Sequence, residues 1–408
     1  MTSLEHLSAW PAEAEALLGD LVDLRRAIHR EPELGLQNPK TLAKIKEALA
    51  GLPLEYREGP STTGLVAILR GGMAAEGTNG RTVLLRGDMD ALPLLEDTGL
   101  DFASETTGAM HACGHDTHVA MLVGAAKLLC AARDRLAGTV MFMFQPGEEG
   151  HHGARFMLED GLIDPLPDAA FALHIMPNAP HGIFAGRAGP LLASSDVLSI
   201  SVKGAGGHAS MPQDAIDPIP VACEIVSAIQ TMVTRKISVF DPAVITIAKI
   251  VAGTTNNIIP ETAEMQGTIR TLSPERRAMV ARELGRLVPA IAEAHGCSAQ
   301  VTIEEGFPVT VCDTRAVQFG QGVVEDVFGE QAWLTMDNPV MGAEDFAYVL
   351  EKVPGAMFWL GASEEGSDWR SCCGLHSNRM VLDEKVMARG AALHAALAER
   401  FLKEGFEA

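Results

Sequence analysis

The run Thr139-Val140-Met141-Phe142-Met143-Phe144 leads directly into Gln145-Pro146-Gly147-Glu148-Glu149-Gly150. A continuous apolar stretch bounded by proline and glycine reads as a buried strand, which puts two adjacent carboxylates where the chain leaves a sheet. The same arrangement recurs on either side. Residues 82–86 form a predicted strand that ends in Gly87-Asp88-Met89-Asp90, and Phe171-Ala172-Leu173 runs into His174. Between them, residues 116–133 carry Val119, Leu122, Ala125, Ala126 and Leu129 at helical spacing. Helices are also predicted at 10–30, 38–50, 314–328, 343–352 and 383–404, with a strand at 356–360. Such alternation specifies an α/β fold built on a mixed sheet. Ligands of open α/β sheets collect outside the carboxyl ends of the strands, so Asp88, Asp90, Glu148, Glu149 and His174 can converge although they are distant in sequence.

The stretch from about 190 to 305 has a different grammar. A strand at 195–203 is followed by Asp217-Pro218, which opens a helix to about Lys236, and then by strands at 243–251 and 262–271. Ser273-Pro274 opens a second helix to about His295, and a strand at 298–304 closes the series. The order βαββαβ is ferredoxin-like. Glycines and prolines at Gly186, Gly189-Pro190 and Gly306 to Pro308 flank the unit, as expected of a domain inserted into a larger one. The predicted division is a discontinuous domain of residues 1–189 and 306–408, interrupted by an inserted domain of residues 190–305.

Composition limits the function. A chain of 408 residues exceeds the size at which single cores stop growing. Lys and Arg total 32 against 53 Asp and Glu, for a net charge of −21, a balance that repels nucleic acid and anionic membranes. No apolar run of about 18 residues is free of charge, and residues 1–5 lack a basic region leading into an apolar one. A cytoplasmic protein is expected. Seven cysteines, an odd number with no CxxC pair, fit a reducing compartment better than a disulfide framework. Cys130, Cys223 and Cys297 read as small core residues, and Cys372-Cys373 near His376 lacks the spacing of a structural zinc site.

Cys113 is different. It lies in Met110-His111-Ala112-Cys113-Gly114-His115-Asp116-Thr117-His118, where a thiol and imidazoles among glycines supply the parts of a metal site, with Glu148 and Glu149 as neighbouring carboxylates. His174 and His376 stand after apolar runs and add two more candidate ligands, more than one ion needs. Consecutive side chains on an extended segment point in opposite directions, so one of Glu148 and Glu149 is expected to ligate while the other faces the substrate water.

Over essentially its whole length the sequence resembles the co-catalytic metallo-aminoacylases and carboxypeptidases, a family that includes hippurate hydrolase, aminoacylase and the plant auxin-conjugate amidohydrolases. The likeness rests on His29-Arg30-Glu31-Pro32-Glu33-Leu34-Gly35, Arg86-Gly87-Asp88-Met89-Asp90-Ala91-Leu92-Pro93, the Met110 to Asp116 and Gln145 to Glu149 segments, Gly207-His208-Ala209, Asn256-Asn257-Ile258-Ile259-Pro260 and Gly342-Ala343-Glu344-Asp345-Phe346. The Cys-Gly-His-Asp of residues 113–116 is similar to the hippurate hydrolase branch. This resemblance implies two divalent ions per subunit, held by Cys113, His115, Glu149, His174 and His376 with the Cys113 thiolate as bridge. Zinc or manganese is implied first, cobalt or nickel next, since thiolate suits zinc while imidazole and carboxylate accept the others. Glu148 matches the general base that deprotonates a metal-held water, and Asp90 an aspartate that supports the site. His111, His118, His151 and His152 remain spare candidates.

The resemblance also makes the 190–305 domain a lid and dimerisation domain, with His208 reaching into the partner subunit's site to stabilise the oxyanion and Asn257 and Arg270 holding the polar end of the substrate, and the protein a homodimer or a homotetramer. The implied reaction cleaves the amide of an N-acyl or N-aroyl amino acid, a small molecule, to a carboxylic acid and a free amino acid. Two alternatives stay open: a metallo-carboxypeptidase or dipeptidase using the same site, and a metal-stabilised binding protein without catalysis.

Overall fold

The computed structural model describes residues 7–73 and 80–406, and the reading of residues 1–5 as lacking a leader falls outside them. The chain divides into two compact units. The larger comprises residues up to Leu191, Val311–Asn338 and the chain from Asp345 onward, and the smaller comprises Leu192–Thr310 with Pro339–Glu344.

In the larger unit, eight strands form one mixed sheet in the order Glu55–Glu58, Leu65–Arg70, Gly138–Gln145, Arg81–Asp88, Ala169–Met176, Gly355–Gly361, Phe184–Gly186 and Trp333–Thr335. The Gly138–Gln145, Arg81–Asp88, Ala169–Met176 and Gly355–Gly361 strands run parallel, with Asp88 opposite Gln145 and His174 opposite Trp359. Their carboxyl ends therefore share one edge. Helix His115–Ala131 is buried at every residue except Lys127 and Ala131, because the sheet lies on one side of it and helix Val386–Glu404 on the other. Close approach of these two helices needs small residues: a Cβ on Gly124 would come within 2.9 Å of Ala391 Cβ.

The smaller unit is a four-stranded antiparallel sheet in the order Ala243–Ala252, Thr262–Thr271, Asp196–Lys203 and Ser298–Glu305. With helices Pro218–Lys236 and Pro274–Ala294 this is the ferredoxin-like arrangement expected from the sequence. Both helices begin as their sequences direct. Asp217 Oδ1 accepts the Ile219 N–H at 2.9 Å, Ser273 Oγ accepts the Arg276 N–H at 3.1 Å, and each cap is followed by proline. Burial alternates along Asp196–Lys203, so one sheet face packs Leu198, Ile200 and Val202 against Ile225 and Leu284 of the helices.

Three local expectations need correction. The helix predicted over 10–30 is two helices, Trp10–Glu15 and Leu18–Arg30, separated by a tight turn in which the Leu17 N–H bonds Ala14 O at 3.0 Å. The helix predicted over 343–352 is reduced to Ala347–Leu350, because Asp345 is held in place by buried partners described below. Short edge strands such as Glu55–Glu58 were not foreseen, since Glu-Tyr-Arg-Glu has no apolar pattern to announce it.

Candidate active site

The loop before helix His115–Ala131 turns through Gly114 at φ +84°, where an added Cβ would lie 2.5 Å from the Ile175 side chain. Glycine is needed there both for the left-handed backbone and for the close approach. This turn presents Cys113 on one side and His115 at the start of the helix.

The five ligands implied by the resemblance come together. Cys113 forms one group with His115 and His174 and a second with Glu149 and His376, and His115 forms a third with Glu148 and Glu149; within each group the ligating atoms lie within 4.8 Å of one another. Cys113 Sγ is 3.5 Å from His174 Nε2, and His376 Nε2 is 3.3 Å from Glu149 Oε1. Cys113 is thus common to two groups of candidate ligands.

The alternation argument for Glu148 and Glu149 does not hold. Both residues lie in a turn closed by the Gly150 N–H on Glu148 O at 2.6 Å, beyond the end of the strand, so their carboxylates converge instead of opposing one another. Asp90 fixes this turn. Its Oδ1 and Oδ2 accept the backbone N–H groups of Glu148 and Glu149, each at 3.0 Å, while its carbonyl lies 2.9 Å from His115 Nδ1.

A carbonyl oxygen can only accept, so the His115 contact places a proton on Nδ1 and turns Nε2 towards the cluster. The same logic applies to His174, whose Nδ1 is 2.7 Å from Ile175 O. His115 Nε2 and Glu149 Oε1 are both buried, with only the long contacts to Asp88 Oδ2 at 3.4 Å and to the His376 ring at 3.3 Å, an arrangement that suits ligands for a cation. His376 has a left-handed backbone, φ 65°, uncommon for a residue with a side chain, and its N–H is held by Ala112 O at 2.7 Å.

Hydrogen bonds and charge from Cys113 and Glu149 hold His376 up at about 10. Burial works against the Glu149 charge, yet His376, His115 and Cys113 keep its carboxyl below the usual range. Burial, aided by the Glu149 charge, pushes the Cys113 thiol up, and burial, aided by His118 and His115, pushes His174 well down. Without a cation the cluster therefore retains protons, which an entering metal must displace.

Behind the cluster lies a network that local sequence patterns did not reveal. His118 Nε2 accepts the Ile175 N–H at 2.9 Å, which leaves its Nδ1 proton for Asp88 Oδ1 at 2.5 Å. Arg86, fully buried, reaches Asp88 at 2.6 Å, Gln145 at 2.8 Å and Asp345 at 3.3 Å, and Asp345 also accepts from Gln145 Nε2 at 2.6 Å and Ala154 N–H at 2.9 Å. Burial opposes the Asp88 charge, but Arg86, His115 and His118 overcome it and hold this carboxyl well below its ordinary value. Arg86→Met is expected to strand two buried carboxylates and cost about 3–5 kcal/mol, read as a lowered urea midpoint. An unchanged midpoint would show that the pair carries no net stabilisation.

The remaining candidates are placed as follows. His111 is buried with neither ring nitrogen hydrogen-bonded, and its ring is tilted on His29 at a centroid separation of 6.1 Å. His151 packs against Gly35, and His152 Nδ1 is 2.8 Å from the Tyr348 hydroxyl. In the smaller unit, His208 and Asn257 share one antiparallel ribbon: Gly207–His208 pairs with Ile258–Ile259, and the Ala209 N–H bonds Asn257 O at 3.1 Å. Arg270 lies half-buried on strand Thr262–Thr271, with Nη1 bonded to Ile269 O at 3.2 Å. Ser210 was not singled out from the sequence, although it sits two residues past His208 and hydrogen-bonds its ring.

Residues 84–400 match the model of peptidase family M20/M25/M40. The chain is 39% identical to thermostable carboxypeptidase 1 of Saccharolobus solfataricus, an alignment covering 93% of this chain and 95% of that one. It is 38% identical to N-acetylcysteine deacetylase of Bacillus subtilis, covering 93% and 96%. A crystal structure of a dinuclear metal-binding peptidase of the M20 family from Bacillus subtilis superimposes with a TM-score of 0.81 at 34% identity, covering 95% of this chain and 99% of that one.

Proposed function

The chain belongs to peptidase family M20/M25/M40, and from that premise we propose that it is a metal-dependent amidohydrolase that cleaves N-acyl or N-aroyl amino acids to a carboxylic acid and a free amino acid. The observation that carries this reading is the sharing of Cys113 between the His115–His174 and Glu149–His376 groups, with the Glu148 carboxylate alongside. Two divalent ions would be held by Cys113, His115, Glu149, His174 and His376, Cys113 being common to both groups of ligands. Thiolate favours zinc, and the imidazole and carboxylate ligands also accept manganese. When bound, the ions would supply the positive charge that polarises an amide carbonyl and lets water attack near neutral pH.

The protein's own groups do the rest. Glu148, its backbone clamped by Asp90, takes the proton of the attacking water and delivers it to the leaving amine. His208, reaching into the partner subunit's site, donates to the oxyanion that develops on the carbonyl, while Asn257 and Arg270 hold the substrate carboxylate, to which a guanidinium can bind in a bidentate manner. Burial lowers the affinity of Arg270 for its proton, yet a guanidinium stays charged at any working pH.

A homodimer is supported by the outer edge of strand Ala243–Ala252, which exposes Ile250 by 51% and Val251 by 54%. An edge strand with exposed apolar side chains is a template for pairing with another chain, here a second copy. Seven free cysteines favour a reducing compartment, the cytoplasm. Among the described residues no helix is long and apolar enough to cross a membrane.

The test is release of free amino acid from N-acetyl, N-benzoyl and long-chain N-acyl amino acids and from dipeptides, with chelator and with added zinc, manganese or cobalt. Chelator-sensitive cleavage of acyl amino acids is the expected result. Cleavage confined to dipeptides would favour the peptidase reading suggested by the carboxypeptidase relative, and silence with every metal would return the protein to a binding role. Chelator is also expected to lower the melting temperature, because ions that bind only the folded state stabilise it by mass action.

A further inference from the structure

The geometry points to Ser210 as a positioning residue that locks His208 in the tautomer carrying its proton on Nε2, so that the free edge of the ring offers an N–H and no lone pair. The inference deepens the substrate role proposed for His208 and rests on it. The Ser210 backbone N–H lies 3.2 Å from His208 Nδ1, and the Ser210 hydroxyl lies 2.8 Å from the same nitrogen. A backbone amide can only donate. The opposite tautomer would place an Nδ1 proton against that amide, donor facing donor, whereas the Nε2–H tautomer lets Nδ1 accept from both groups.

The frame that holds these contacts is set by the backbone. His208 pairs with Ile258 in the short ribbon, the Ala209 N–H is bonded to Asn257 O at 3.1 Å, and the Met211 N–H returns to His208 O at 2.8 Å. Gly204 permits the fold of the loop before it, since a Cβ there would lie 2.0 Å from Ile216 O. His208 itself is exposed, and among the described residues no hydrogen bond to its Nε2 is formed, so the edge that faces outward is the one the lock supplies with a proton. Only an N–H can stabilise a developing oxyanion; a lone pair turned the same way would repel it.

Two measurements on the full-length protein test this. In protein labelled with 15N-histidine, long-range proton–nitrogen spectra report the tautomer of each ring, and the His208 signals are those missing from His208→Asn. The expected pattern is a protonated Nε2 and an unprotonated Nδ1, kept as the major form in Ser210→Ala, whose backbone amide still donates, and lost in Ser210→Pro, which has no amide N–H to oppose an Nδ1 proton. An Nδ1–H pattern in the parent protein or in Ser210→Ala, or an unchanged spectrum in Ser210→Pro, would overturn the lock whatever the activity.

Turnover supplies the second readout. Glutamine can place an amide donor near the Nε2 position and asparagine only near Nδ1, so His208→Gln should retain more kcat than His208→Asn, which is expected to lose about 10²–10³-fold. Ser210→Ala should lose about tenfold in kcat, in keeping with one hydrogen bond, with KM little changed. Equal losses in the Gln and Asn variants would overturn the donor assignment. Full turnover in His208→Asn would remove the premise, the substrate role of His208, while the spectra still decide the tautomer independently.

Discussion

Glu148→Gln should reduce kcat by about two to four orders of magnitude while leaving the metal content unchanged. The substitution keeps the shape of the side chain and the backbone N–H that Asp90 accepts at 3.0 Å, so the turn should persist. What it removes is the capacity to accept a proton. Metal retention follows from the grouping of Glu149, and not Glu148, with Cys113 and His376. Turnover on an N-acyl amino acid and metal per protomer by mass spectrometry decide the matter together. Near-normal turnover would refute the role of general base. Loss of metal would instead make Glu148 a ligand, which its proximity to His115 and Glu149 permits geometrically.

Cys113→Ser should have the other large effect. Cys113 belongs to both the His115–His174 and the Glu149–His376 groups, so its loss weakens both candidate ion sites at once. A serine hydroxyl does not ionise readily enough to replace a thiolate. Disturbing outer-shell partners of metal ligands costs about 10–100-fold in affinity or activity, so loss of a shared ligand should exceed about 100-fold. Cys113→Asp restores an anionic ligand able to bridge, and should recover part of the metal content with a preference shifted from zinc towards manganese. Full occupancy of both ions in Cys113→Ser would show that the thiolate does not bridge.

Much of this architecture was legible in the sequence because it is written in local patterns. Thr139 to Phe144 reads as a buried strand and the apolar spacing from Val119 to Leu129 as a helix, and the strand ends brought Asp88, Asp90, Glu148, Glu149 and His174 to a common sheet edge. Asp217-Pro218 and Ser273-Pro274 announced both helices of the smaller unit through a capping carboxylate and hydroxyl, and the structure forms both caps. The break after Glu15 and the shortened helix at Ala347 were not legible, since neither carries a proline or glycine at the break.

The sequence by itself determined the α/β and ferredoxin-like units, because periodicity is a property of neighbouring residues, and its resemblance to the family implied the residues whose ligating atoms cluster. Only the tertiary structure decided that Cys113 is shared by two groups, that Glu148 and Glu149 converge in a turn, and which nitrogen of His115, His174 and His208 bears the proton. It also paired Arg86 with Asp345 across 259 positions. The direction of a lone pair and the partner of a buried charge depend on groups that local sequence does not adjoin, and these are fixed when packing removes water and each buried polar atom must find its complement.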